Sequence, residues 1–117
     1  MVALDPPRIA EFWRSVLGWG VLQSDATGTD IGPVDGYGPR IEIGLVSDSK
    51  SAKNRIHLDL RADGISQSDE VQRLVGLGAK RVDVGQPAEA TWVVLADPEG
   101  NEFCLLLRTV QETTENA

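Results

Sequence analysis

Few residues in this chain could do chemistry. His57 is the sole histidine and Cys104 the sole cysteine among 117 residues. The run Arg55-Ile56-His57-Leu58-Asp59-Leu60-Arg61 alternates apolar and polar side chains. On an extended strand that alternation puts His57, Asp59 and Arg61 on one face and Ile56, Leu58 and Leu60 on the other. An imidazole next to a carboxylate can relay a proton or ligate a metal. The same pair also suits a hydrogen-bonded histidine whose neighbour Asp59 merely orients it. Glu42 lies in a second alternating run, Arg40 to Val46, on the face opposite Ile41, Ile43 and Leu45. It reads either as a ligand or base, or as a solvated rim carboxylate. Cys104 alternates with Phe103 and Leu105 near the end of the chain, and is either a small buried hydrophobe or a thiolate ligand. Trp92 can stack on a bound molecule or pack within its strand.

The bulk composition narrows the setting. A formal charge of −7, with Lys and Arg scattered rather than clustered, opposes binding to nucleic acid or to an anionic membrane surface. No apolar run approaches the ~20 residues of a bilayer span. Met1 to Pro7 lacks the basic start and apolar stretch of a signal peptide, and the lone Cys104 suits a reducing compartment. The expectation is a cytoplasmic protein. There is no P-loop, no G-x-G-x-x-G after a strand, no nucleophile elbow and no paired-cysteine zinc pattern.

The elements that must position these residues can be read in order. Val2-Ala3-Leu4 is a short strand. Asp5 caps a helix with Pro6 at its first position, and Ile9, Phe12, Trp13, Val16 and Leu17 recur at helical spacing up to Gly18. A strand follows from Trp19 to Gln23. The Gly- and Asp-rich stretch from Ser24 to Gly38 holds turns and one faint strand near Asp30 to Val34. Then comes the strand Arg40 to Val46, and the polar connector Ser47 to Asn54. The pattern then restarts. Arg55 to Arg61 is a strand, Ser66 or Ser68 caps a helix that Gly78 ends, and Ala79 to Val84, Thr91 to Ala96 and Glu102 to Leu107 are strands. Asp97-Pro98-Glu99-Gly100-Asn101 needs only hairpin geometry to explain it. The tail 109–117 is polar and reads as frayed.

Overlaying Leu17-Gly18 on Leu77-Gly78, and Gly38 to Ile43 on Gly100 to Leu105, gives two β-α-β-β-β units, about 1–46 and 55–108, joined by a linker at 47–54. The fold expected is therefore α+β: a single domain of two tandem units forming an open β-cup with helices on the outside. If the polar faces of both sheets curl inward, the cup gathers Glu42, His57, Asp59 and Cys104, with either Trp92 or Val93. A hollow of this kind is the usual setting for a small organic ligand.

Three stretches carry a family resemblance. They are Asp5 to Trp13 leading to Leu17-Gly18-Trp19, the run Lys53-Asn54-Arg55-Ile56-His57-Leu58-Asp59-Leu60, and the run Trp92 to Phe103 with Asp97-Pro98-Glu99-Gly100-Asn101 inside it. Together they span nearly the whole chain. The sequence resembles the glyoxalase/bleomycin-resistance/extradiol-dioxygenase superfamily, also called vicinal oxygen chelate proteins, and its glyoxalase-like subgroup in particular. Metal-bearing members hold a divalent Zn, Ni, Fe or Mn ion on four side chains, two per unit. The resemblance puts His57 at one of these positions, Glu42 at a second, and Cys104 where those enzymes carry Glu. The fourth falls before Met1. This incomplete set implies a small-molecule-binding protein with His57, Asp59, Trp92 and Cys104 against the ligand and no cofactor. The alternative is a lyase or isomerase using Glu42 and His57, with or without a divalent metal on Glu42, His57 and Cys104. Members of the superfamily often dimerise, and a homodimer is expected here.

Overall fold

The computed structural model describes residues 1–52, 54 and 56–115. It divides into two compact units, Met1–Ser51 and Ala52–Ala117.

In the first unit, β1 (Val2–Ala3) leads into α1 (Pro6–Leu17), followed by β2 (Gly20–Asp25), β3 (Gly28–Gly32) and β4 (Ile41–Leu45). The helix starts where the sequence says it should: the Asp5 carboxylate accepts from the Arg8 N–H at 3.2 Å, and Pro6 and Pro7 occupy the first turn. It stops at Gly18, whose φ of 69° is the left-handed conformation that a side chain resists. Ile9, Ala10, Phe12 and Trp13 form its buried face, which lies against all four strands. The Phe12 and Trp13 rings meet edge to face, 5.2 Å apart. Trp19, expected in the strand, stands just before β2 and is half-buried.

The faint strand proves to be a full one. β3 spans Gly28–Gly32 rather than Asp30 to Val34, and pairs antiparallel with β2 on one side and β4 on the other. Its Gly-rich sequence hides it from propensity, yet the first glycine has a steric cause. A Cβ on Gly28 would stand 2.3 Å from the Ile43 carbonyl oxygen of the adjoining strand. Asp25 sets the hairpin by accepting from the Thr27 N–H (2.8 Å) and hydroxyl (2.6 Å).

The second unit repeats the order. β5 (Asp59–Leu60) precedes α2 (Gln67–Gly76), β6 (Lys80–Arg81), β7 (Val93–Ala96) and β8 (Glu102–Leu105), with α3 (Val110–Glu115) closing the chain. Of the two cap candidates, Ser66 serves, accepting from the Asp69 N–H. The sheet orders are β1-β4-β3-β2 and β5-β8-β7-β6, with the first and last strands parallel in each. The α+β class and the two β-α-β-β-β units are thus as expected.

Several expectations need correction. The strand foreseen from Arg55 to Arg61 is regular only at Asp59–Leu60, and Ile56 is 87% exposed instead of facing a core. Alternation alone cannot show how far a parallel partner reaches. Arg55, like Lys53, lies outside the described residues. β6 covers Lys80–Arg81, not all of Ala79 to Val84. Leu45, on the apolar face with Ile41 and Ile43, is about half exposed because it ends the β1–β4 pairing, and Leu107, expected within the last strand, lies beyond β8 and is equally exposed. The tail is not frayed at 110–115. Thr109 and Glu112 form a reciprocal cap, in which the Thr109 hydroxyl accepts from the Glu112 N–H and the Glu112 carboxylate accepts from the Thr109 N–H.

Candidate functional site

The site is built on the parallel pair β5–β8. Asp59 stands in register with Cys104 and Leu60 with Leu105. The ladder runs one step beyond the strand, since the Cys104 N–H donates to the Leu58 carbonyl at 2.9 Å. Residues in register share a face, so Asp59 and Cys104 are neighbours, and alternation brings His57 to the same side. The His57 Nε2 lies 3.3 Å from an Asp59 carboxylate oxygen. One ligating atom each from His57, Asp59 and Cys104 falls within 4.8 Å of the others. His57 and Asp59 are exposed, whereas Cys104 is buried and in no disulfide.

These residues line a cavity of about 450 Å³ contained in the second unit. Its apolar walls are Val84, Trp92, Val94 and Leu106, with Asn54, Gln86 and Glu102 adding polar groups. The question of Trp92 or Val93 resolves in favour of Trp92. Val94 pairs with Cys104 across the β7–β8 hairpin, and Trp92 is two residues from it on the same face. Phe103 and Leu105 alternate with Cys104 on the other face and are fully buried.

Sequence reasoning missed Asn54, Val84, Gly85, Gln86, Val94, Glu102 and Leu106 as lining residues. Asn54 fastens the segment before His57 to β8. Its amide oxygen accepts from the Glu102 N–H at 3.0 Å, and its amide nitrogen reaches the Asn101 side chain at 3.4 Å. Gln86 braces its own loop by accepting from the Val84 N–H and donating to the Val82 carbonyl. Leu106 was legible from alternation with Cys104, but the loop residues carried no signal. The turn of the β7–β8 hairpin is held by Asp97, which is 3% exposed. Its carboxylate accepts from the Glu99 and Asn101 N–H groups at 2.9 and 3.0 Å and from the Asn101 amide at 2.9 Å.

Glu42 belongs to the first unit. It is exposed, stands in register with Asp30, and lines a smaller concavity of about 290 Å³ with Gln23, Asp25, Thr27, Asp30 and Gly44. Asp30 there is ion-paired with Arg40, and hydrogen bonds from Thr27 hold the Asp25 carboxyl below the ordinary carboxylate range. The parallel pairing also refines the overlay of the two units. Where Asp59 stands beside Cys104, Val2 stands beside Gly44, so in this pairing the counterpart of Cys104 is Gly44 and not Glu42. An offset of two residues keeps the same face, which is why side-chain alternation could not detect it.

A family model described as a glyoxalase-like domain matches residues 1–106. No curated protein matches the chain. Among solved structures, the fosfomycin resistance protein FosX from Listeria monocytogenes superposes with a TM-score of 0.68 at 13% identity, covering 100% of this chain and 93% of that one. A variant of the same protein, complexed with Mn(II) and 1S,2S-dihydroxypropylphosphonic acid, gives 0.66 at 12% identity, covering 98% and 92%. A bleomycin-binding protein complexed with bleomycin gives 0.59 at 19% identity, covering 92% and 93%. At these identities the likeness is one of fold. Among the described residues, no helix is long and apolar enough to cross a membrane.

Proposed function

This chain belongs to the glyoxalase-like domain family, and on that premise we propose that it binds a small organic molecule in the cavity of its second unit. The observation that carries the reading is the cavity itself. About 450 Å³ suits a drug-sized ligand, and its apolar walls surround a few convergent polar groups. Trp92 offers an aromatic surface for stacking, while His57, Asp59 and Asn54 offer hydrogen bonds. Among the described lining residues, the acidic side chains are Asp59 and Glu102, and none is a lysine or an arginine. Such a lining favours a neutral or cationic ligand with a flat apolar part over a phosphonate. Bleomycin, held by one structural neighbour, is the natural first probe.

The test is chemical-shift mapping on ¹⁵N-labelled protein with bleomycin and a panel of neutral and cationic heteroaromatic compounds. Saturable shifts confined to 84–86, 92–94 and 102–106 are expected. Trp92→Ala should weaken binding about 2- to 12-fold, the worth of one aromatic contact of ~0.5–1.5 kcal/mol. Shifts clustering instead on Gln23, Asp30 and Glu42, or none at millimolar ligand, overturn the reading.

The enzymatic alternative, a lyase or isomerase with His57 as base, is favoured by one observation. The Asp59 carboxylate lies 3.3 Å from the imidazole and can orient it for proton transfer. Either reading fits a cytoplasmic homodimer, given the single reduced cysteine and the exposed Val21 and Leu22 on the edge strand β2.

A further inference from the structure

We propose that Cys104 is a nucleophile with His57 as its base, and that the cavity of the second unit captures flat, neutral α,β-unsaturated carbonyl compounds as thioethers. The proposal rests on the reading of this cavity as an organic-ligand site and adds a covalent step to it. Cys104 lines the cavity, on a strand whose opposite face is anchored by the fully buried Phe103 and Leu105. A ring nitrogen of His57 and a carboxylate oxygen of Asp59 both fall within 4.8 Å of the Cys104 sulfur. A proton can cross such a gap through one water. The Asp59 carboxylate, 3.3 Å from the His57 Nε2, orients the ring and supports the positive charge that it acquires. A thiol, a base beside it and a third group that orients the base are together the arrangement that activates a weak nucleophile.

The class of electrophile follows from the surrounding donors. Acyl transfer builds an oxyanion on the attacked carbon and calls for N–H donors beside the nucleophile. Here the Cys104 N–H is spent on the Leu58 carbonyl and the Leu106 N–H on the Leu60 carbonyl. Conjugate addition makes no such demand, because the charge moves off the attacked carbon to the distant carbonyl oxygen. The Cys104 S–H proton passes to His57 as the sulfur bonds to the β-carbon. The C=C π pair shifts to form an enolate, and the imidazolium returns the proton to the α-carbon. The net step adds S–H across the double bond, with no leaving group, oxidant or reductant. Val84, Trp92, Val94 and Leu106 receive a flat apolar body, while Asp59 and Glu102 repel an anionic one.

The experiment uses the full chain, reduced and treated with chelator. The probe is N-phenylacrylamide, with the saturated N-phenylpropanamide as its unreactive counterpart. Intact-mass spectrometry is expected to show one adduct per chain, and peptide mapping to place it on Cys104, the sole cysteine. The rate should exceed that of N-acetylcysteine under the same conditions by about 10²–10⁴-fold, the usual contribution of a positioned base. His57 and Asp59 are exposed, so their variants leave the core intact. His57→Ala should lose the rate advantage, and imidazole added to the buffer should restore part of it. Asp59→Asn should slow the reaction, and Asp59→Glu should recover it. A rate no higher than that of N-acetylcysteine overturns the proposal. So does an unchanged rate in His57→Ala, a loss there that imidazole leaves unrepaired, or an adduct formed elsewhere. Saturable shifts at the cavity with N-phenylpropanamide, but no adduct from N-phenylacrylamide, remove the covalent step alone and leave the organic-ligand reading standing; absence of both removes both.

Discussion

Replacing Asp97 by alanine is expected to destabilise the protein by about 3 kcal/mol. Asp97 is almost wholly buried at the head of the β7–β8 hairpin, and its carboxylate accepts from the Glu99 N–H, the Asn101 N–H and the Asn101 amide. A hydrogen bond to a charged group contributes about 1.5–3 kcal/mol net. Glu99 and Asn101 are only part-buried, so water replaces part of what alanine removes, and the loss falls below the roughly 4.5 kcal/mol that is the low end of the sum for three such bonds. For a chain of this size, 3 kcal/mol corresponds to a fall in Tm of about 12 °C. Asp97→Asn keeps the acceptor for the two backbone donors and loses the one facing the Asn101 amide, so about 1 kcal/mol is expected. Urea unfolding followed by tryptophan fluorescence measures both, with the midpoint moving and the slope unchanged. A loss below about 1 kcal/mol for Asp97→Ala, or equal losses for both variants, would refute the assignment of this carboxylate as the clamp of the hairpin.

Further outcomes can be checked alongside it. Gly28→Ala should cost about 1–3 kcal/mol by thermal unfolding, because the added methyl collides with the Ile43 carbonyl, which is backbone and cannot swing aside. Stability should also fall in acid. Asp25, Glu11 and Glu112 have carboxyls lowered chiefly by hydrogen bonds from Thr27, Arg14 and Thr109 respectively. A lowered folded-state value gives stabilisation that is full above the unfolded values of about 4 and lost as pH drops through the folded ones. Denaturant midpoints between pH 5 and 2.5 should therefore decline less steeply in Asp25→Asn/Glu112→Gln than in the parent; parallel curves would contradict this. Multi-angle light scattering at micromolar concentration should return the mass of two chains, and a single-chain mass excludes the dimer.

Much of the fold was legible because its punctuation is local. Asp5 with Pro6, Gly18, Ser66 and Gly78 mark helix ends through backbone chemistry that needs no distant partner. The alternation around Cys104 likewise gave the faces of β8 correctly. What escaped depended on long-range pairing. The extent of β5 is set by β8, some 45 positions away, so Ile56 looked like a core residue and is solvent-exposed. β3 was faint because its first glycine, Gly28, answers to the close approach of β4 rather than to propensity. The cap at Thr109 and Glu112 was written in the sequence and was overlooked under a polar composition. Of the site, His57, Asp59, Cys104 and Trp92 fall on one cavity, while Asn54 and Gln86 work through backbone latches that no motif announces.

The parallel closure of β5 onto β8 has a kinetic corollary. Hairpin β7–β8 spans a five-residue turn and can nucleate early, whereas β5 must wait for a loop of some forty residues to be traversed before its few bonds repay the lost chain entropy. The edge bearing His57 and Asp59 is therefore expected to zip last and to open first, ahead of global unfolding. Amide exchange at Cys104 and Leu106, whose protons are held by Leu58 and Leu60, would report that breathing directly. Any guest that bridges both strands would slow it by mass action, so occupancy of the hollow and cohesion of the sheet become one coupled equilibrium.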